Sequence, residues 1–119
     1  MNKFAGILLT SRTQMHIAHL QVQSYAAHMA LNAYYDGIVG LIDGLVEEYQ
    51  GKYGIVKGYK IIGIKDMDTP EAILTYLKSI LKFVEVARKQ LPQDTNIQNN
   101  IDAIVTLLDS TIYKLTFLK

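Results

Sequence analysis

Three histidines, three carboxylates and one amide in the first 47 residues are spaced as metal ligands could be: His16, His19, His28, Asn32, Asp36, Asp43 and Glu47. Imidazole nitrogen and carboxylate oxygen together suit iron or zinc. At ~100° per helical residue, His28, Asn32, Asp36, Asp43 and Glu47 share an arc of about 100°. That stripe adjoins the apolar face of its helix, so it sits at an edge that another surface can cover. His28 and Glu47 are separated by about 28 Å of helix at ~1.5 Å per residue, too far to share a metal within one chain. The midpoint of His28 and Glu47 is also the midpoint of Asn32 and Asp43, between Gly37 and Ile38. An antiparallel copy crossing there about a two-fold axis sets His28 near Glu47 of its partner, and Asn32 near Asp43. Gly37, Gly40 and Gly44 permit close approach at the crossing, and self-complementary two-fold contacts are the commonest oligomer solution. The bland alternatives are a hydrogen-bonded polar seam at a dimer interface and a solvated helix flank.

Four helical segments must position these groups. The first is expected over about 2–22, with Leu8, Leu9, Met15, Ala18 and Val22 inward. Ser24 reads as the N-cap of a second helix over about 25–50, with Gly51 as its stop. Leu31, Tyr35, Ile38, Leu41, Ile42, Leu45 and Val46 recur at threes and fours along it, the spacing of a buried stripe. Asp68-Thr69-Pro70-Glu71 opens a third helix, which Pro92 ends. Asp94-Thr95 opens the fourth, with Gln98 placed for a capping box. Between the second and third, Gly51, Gly54, Gly58 and Gly63 interrupt a β-branched run. A small hairpin turning near Lys57-Gly58 and an ordered crossover both fit it; a crossover lets helices two and three run parallel. The expected fold is therefore all-α, a four-helix bundle with a long glycine-rich connection between helices two and three.

The segment from His16 to Glu47 resembles the first two helices of Dps-type mini-ferritins, members of the ferritin-like superfamily. In that family a histidine late in the first helix is followed at plus twelve by a second histidine. A carboxylate comes four residues later, and an Asp-x-x-x-Glu pair begins eleven beyond that. His16, His28, Asp43 and Glu47 match without a gap, while Asn32 stands at the central carboxylate position. The resemblance implies a ferritin-like fold and a homo-oligomer with a two-fold interface along helix 25–50. It also implies iron (zinc or no metal being the alternatives) held by His16 and His28 of one chain with Asp43 and Glu47 of the other. Asn32 offers a neutral oxygen there, and His19 can stand in for a missing ligand. Ferroxidase or iron-storage activity follows. The competing expectation is a metal-free ferritin-like scaffold acting in binding or assembly, resembling small ferritin-like proteins of tailed bacteriophages.

Composition bounds the rest. The chain has 119 residues, half of them apolar, and a formal net charge of +1, which describes one globular domain. No cysteine is present, which excludes thiolate metal sites and thiol catalysis. Near-neutral charge, with Lys3 the one basic residue at the start of the chain, argues against strong DNA binding. No apolar stretch approaches the ~20 residues of a membrane span and no secretory signal is evident, so a cytoplasmic protein without a membrane partner is expected. Nothing marks a nucleophile on a strained turn, so hydrolase chemistry is not expected.

Overall fold

The computed structural model describes residues 1–119. The chain is all-helical: α1 (Asn2–Gln21), α2 (Tyr25–Tyr53), α3 (Pro70–Ala87) and α4 (Thr95–Phe117), with a short 3-10 turn over Arg88–Gln90. At ~1.5 Å per residue the 29 residues of α2 span about 43 Å. The longest dimension of the molecule is 43 Å, so this one helix sets its length.

Hydrogen bonds fix the helix directions. Ser11 meets Tyr34 and His19 meets His28, so α1 and α2 run antiparallel. Glu48 accepts from Asn96 and Asn100 at the start of α4, while Leu107 further along α4 lies against Gly37, so α4 also opposes α2. Arg88 donates to Asp102 at 2.7 Å where α3 turns back into α4. One apolar cluster joins all four helices, built on Leu8 and Met15, Leu31 and Ile38, Ile73 and Leu77, and Ile101 and Ile104.

Helix starts follow the sequence closely. Ser24 accepts from the Ala27 N–H at 3.3 Å, and Thr69 accepts from the Ala72 N–H at 3.2 Å with Pro70 in the first turn. The end of α2 does not follow it. The helix runs through Gly51 and stops at Gly54, whose φ of +95° suits glycine. The reason lies outside the helix: Lys52 and Tyr53 both donate to the carboxylate of Asp94, the residue just before α4. The side-chain hydrogen bond from Lys52, then that from Tyr53, holds the Asp94 carboxyl below the ordinary carboxylate range. Because that carboxylate is engaged, Asp94 makes no side-chain cap to α4. The expected capping box is also absent. Gln98 instead accepts from Arg88 Nε at 2.9 Å and donates to the Pro92 carbonyl at 3.0 Å.

Residues 54–69 contain no helix and no strand, so the hairpin reading is wrong. The segment lies along α1 in the direction of α1. Asn2 donates to the Lys57 carbonyl, Thr10 accepts from the Ile62 N–H, Gln14 both donates to and accepts from Lys65, and Gln21 accepts from the Met67 N–H. It therefore carries the chain back to the end where α2 began, and α3 sets off in the direction of α2. Polar residues on one flank of α1 thus replace the missing strand partner as hydrogen-bonding groups for this strap. Gly6 is part of the arrangement, since a Cβ there would lie 2.7 Å from the Lys60 carbonyl oxygen. This double duty explains why α1 buries Thr10 and Gln14 as well as Leu8 and Met15, while Ser11 is buried against Tyr34 of α2.

Candidate functional site

The histidines gather where α1 turns into α2. His19 lies in the last turn of α1, whose carbonyls lack intrahelical partners. The His28 Nδ1–H donates to the His19 carbonyl at 2.9 Å, and the His19 Nδ1–H donates to the His28 carbonyl at 2.7 Å. A carbonyl oxygen can only accept, so each Nδ1 carries a proton, and Nε2 is the nitrogen left to offer a lone pair. A histidine whose Nδ1–H is fixed on a backbone carbonyl is oriented as metal-bound histidines commonly are. The two rings stack with centroids 3.6 Å apart. His16 stacks on Tyr35 at 4.1 Å and meets the His19 ring edge-on at 5.9 Å, without touching His28. The structure therefore brings His19, rather than His16, against His28.

Asn32 continues the cluster along α2. Its carbonyl oxygen accepts from the Tyr35 hydroxyl at 2.7 Å, and its amide donates to Asp36 at 3.1 Å. Both ends of the amide are thus occupied within the chain. Asp43 and Glu47 are exposed two turns and more beyond, and neither makes an ion pair or side-chain hydrogen bond within the chain. No three of the His, Asp and Glu side chains of one chain could together hold a metal ion. The nitrogen donors lie at one end of this flank and the anionic oxygens at the other.

Tyr35 and Arg12 belong to the same flank, and ligand spacing does not reveal them. The signal was present in Arg12 lying four residues before His16, on the same helix face. Of the α2 tyrosines, Tyr34 is fully buried and Tyr35, expected inward, and Tyr49 are half-buried, whereas Tyr25, at the start of α2, is 75% exposed. No helix is long and apolar enough to cross a membrane.

An all-α bundle of four helices, with a histidine cluster at one turn and free acids further along the same flank, is the class these observations define. Within it the chain belongs to a family of unknown function, DUF5856, matching over residues 19–115, a span that opens on His19 and takes in both acids. It is also similar to an uncharacterized 14.6 kDa protein in the mobD-ri intergenic region of Enterobacteria phage T4. The two are 26% identical over 115 residues, covering 97% of this chain and 87% of the phage protein. No solved structure matches the chain.

Proposed function

We propose that this protein is a ferritin-like bundle of the Dps type that pairs with a second copy along α2 and binds iron or another divalent cation between the two chains. His28 and His19, with His16 beside them, supply nitrogen from one chain. Asp43 and Glu47 of the partner subunit supply anionic oxygen. The observation that carries this reading is the separation of the two donor halves. Two imidazoles have Nε2 lone pairs free for a ligand, and two carboxylates on the same helix have no intrachain partner. A two-fold axis between Gly37 and Ile38 joins the halves. The order of the helices, with the strap along α1 and α2 parallel to α3, is that of a bundle with one long connection.

Ferrous iron is the substrate in this reading. Each ferrous ion gives up one electron, so two reduce one hydrogen peroxide to two waters with uptake of two protons. The protein's part is to hold the ions between imidazole and carboxylate and to orient them there. Adding ferrous iron and peroxide is expected to produce ferric absorbance faster than in buffer alone. Growth no faster than in buffer, with no iron retained, ends the proposal.

A second reading rests on Asn32, whose two polar ends are occupied by Tyr35 and Asp36 where the Dps pattern has a carboxylate ligand. Here the bundle pairs without metal and serves as a phage accessory protein in binding or assembly. An oligomer that persists in chelator with an unchanged melting temperature is the result this reading predicts.

A further inference from the structure

The strap over residues 54–69 is nearly extended along α1. It is held from Lys57, whose carbonyl Asn2 bonds, to Met67, whose N–H bonds Gln21. From Asn2 to Gln21 α1 rises about 28 Å at ~1.5 Å per residue, and the strap covers that length in ten residues. About 2.8 Å per residue approaches the roughly 3.3 Å of a β-strand. Yet no backbone–backbone hydrogen bond involves residues 55–68.

One edge of this backbone is taken by α1. Lys65 donates its N–H to Gln14 and accepts from Gln14 at its carbonyl. Successive residues of an extended backbone turn these groups to opposite edges, so those of Ile64 and Asp66 face away from α1. Gly63 is exposed with nothing within 4 Å of where a Cβ would stand, which lets another backbone come close.

The strap's exposed side chains are of two kinds. Ile55, Ile61 and Ile62 are more than half exposed. Lys57, Lys60 and Lys65 are exposed beside them, and neither ion pair of the chain uses them. No acid lies between Glu48 and Asp66, and Asp66 is already bonded by Gln21. Two hollows meet at Ile62. One of about 280 Å³ reaches Tyr76 and Ile80 of α3, and one of about 460 Å³ carries Lys3 and Lys60.

These features select among occupants. Nucleic acid phosphates engage the lysines and leave the isoleucines in water. A bilayer covers the isoleucines but pairs no backbone groups. A second strap sets lysine against lysine. An extended segment with alternating acidic and apolar residues meets the free edge, the isoleucines and the lysines together.

We infer that the open edge of the strap binds an extended acidic segment of another protein, which adds to it as a β-strand. Acids of that segment pair with Lys57, Lys60 and Lys65, and its apolar side chains cover the isoleucines. The inference needs neither a metal nor the two-fold contact along α2.

A fluorescein-labelled peptide of alternating glutamate and valine, about ten residues long, is the probe, read by anisotropy. Saturable binding is expected, weakened at least about tenfold in the double variant Lys57→Glu, Lys60→Glu. Both lysines are exposed, so that variant should keep the wild-type circular dichroism and melting temperature. The same peptide N-methylated at every residue keeps its charge, loses its backbone donors, and is expected not to bind. Absence of saturable binding by the parent peptide, or undiminished binding by the methylated one, overturns the added strand. Binding unchanged in the double variant overturns the role of the lysines. Tighter binding to phosphatidylglycerol vesicles or to a single-stranded oligonucleotide overturns a protein partner in favour of that surface.

Discussion

Tyr34→Ala is expected to lower the unfolding free energy by about 3–5 kcal/mol. Tyr34 is fully buried on the inward face of α2, where it joins the core cluster. Its hydroxyl lies 2.8 Å from the Ser11 hydroxyl, which in turn donates to the Leu8 carbonyl at 2.7 Å. A serine hydroxyl has a single proton and Leu8 takes it, so Tyr34 must donate to Ser11. Burial pushes the Tyr34 hydroxyl well above the usual phenol range, which keeps this donor protonated at neutral pH. Alanine removes the ring, leaves a cavity and strands the Ser11 oxygen. Tyr34→Phe keeps the packing and removes only the hydrogen bond, at a cost of about 1 kcal/mol. Urea unfolding of the three proteins gives both differences. Near-equal stability of Tyr34→Ala and wild type would mean that α1 and α2 are not packed through this residue.

The second large effect is on metal affinity. Asp43→Ala and Glu47→Ala are each expected to weaken divalent cation binding by at least about a hundredfold, since even groups one shell out from a metal are worth ten- to a hundredfold. Both side chains are exposed and unpaired within the chain, so the same variants should change stability by no more than about 0.5 kcal/mol. That separation matters, because a loss of binding then cannot be assigned to unfolding. His28→Ala differs: it removes both the proposed ligand and the hydrogen bond to the His19 carbonyl, and is expected to lower metal affinity and stability together. Calorimetric titration with zinc, which does not undergo oxidation, measures the affinities. Unchanged zinc binding in Asp43→Ala and Glu47→Ala would remove the acids from the site.

Much of the fold is legible in local sequence because its causes are local. Ser24 and Thr69 cap the helices they precede, and Leu31, Ile38, Ile42 and Leu45 of α2 face the core as their spacing requires, whereas Tyr35, expected in the same stripe, stacks on His16 and Tyr34 takes the place in the core. The misreadings have non-local causes. Gly51 reads as a stop, but Asp94, more than forty residues away, anchors Lys52 and Tyr53 and draws α2 onward. Gln98 reads as half of a capping box, but Arg88 and Pro92 from the preceding turn take its side chain. The strap is legible as non-helical from its glycines. Its attachment is not, because Thr10, Gln14 and Gln21 look like an ordinary solvated face until the segment that uses them is in place. At the candidate site, spacing finds the ligand types but not their grouping. The stack of His19 on His28 depends on the tight turn at residues 22–24 and shifts His16 onto Tyr35.

Mass in solution, measured with metal content before and after a ferrous load under anaerobic conditions, tests the central claim most directly. The account predicts a dimer or a multiple of dimers, with iron bound only to such species and none to single chains. A monomer that retains iron, or a dimer that takes up none at saturating ferrous concentration, contradicts a metal held between imidazoles of one subunit and acids of the next.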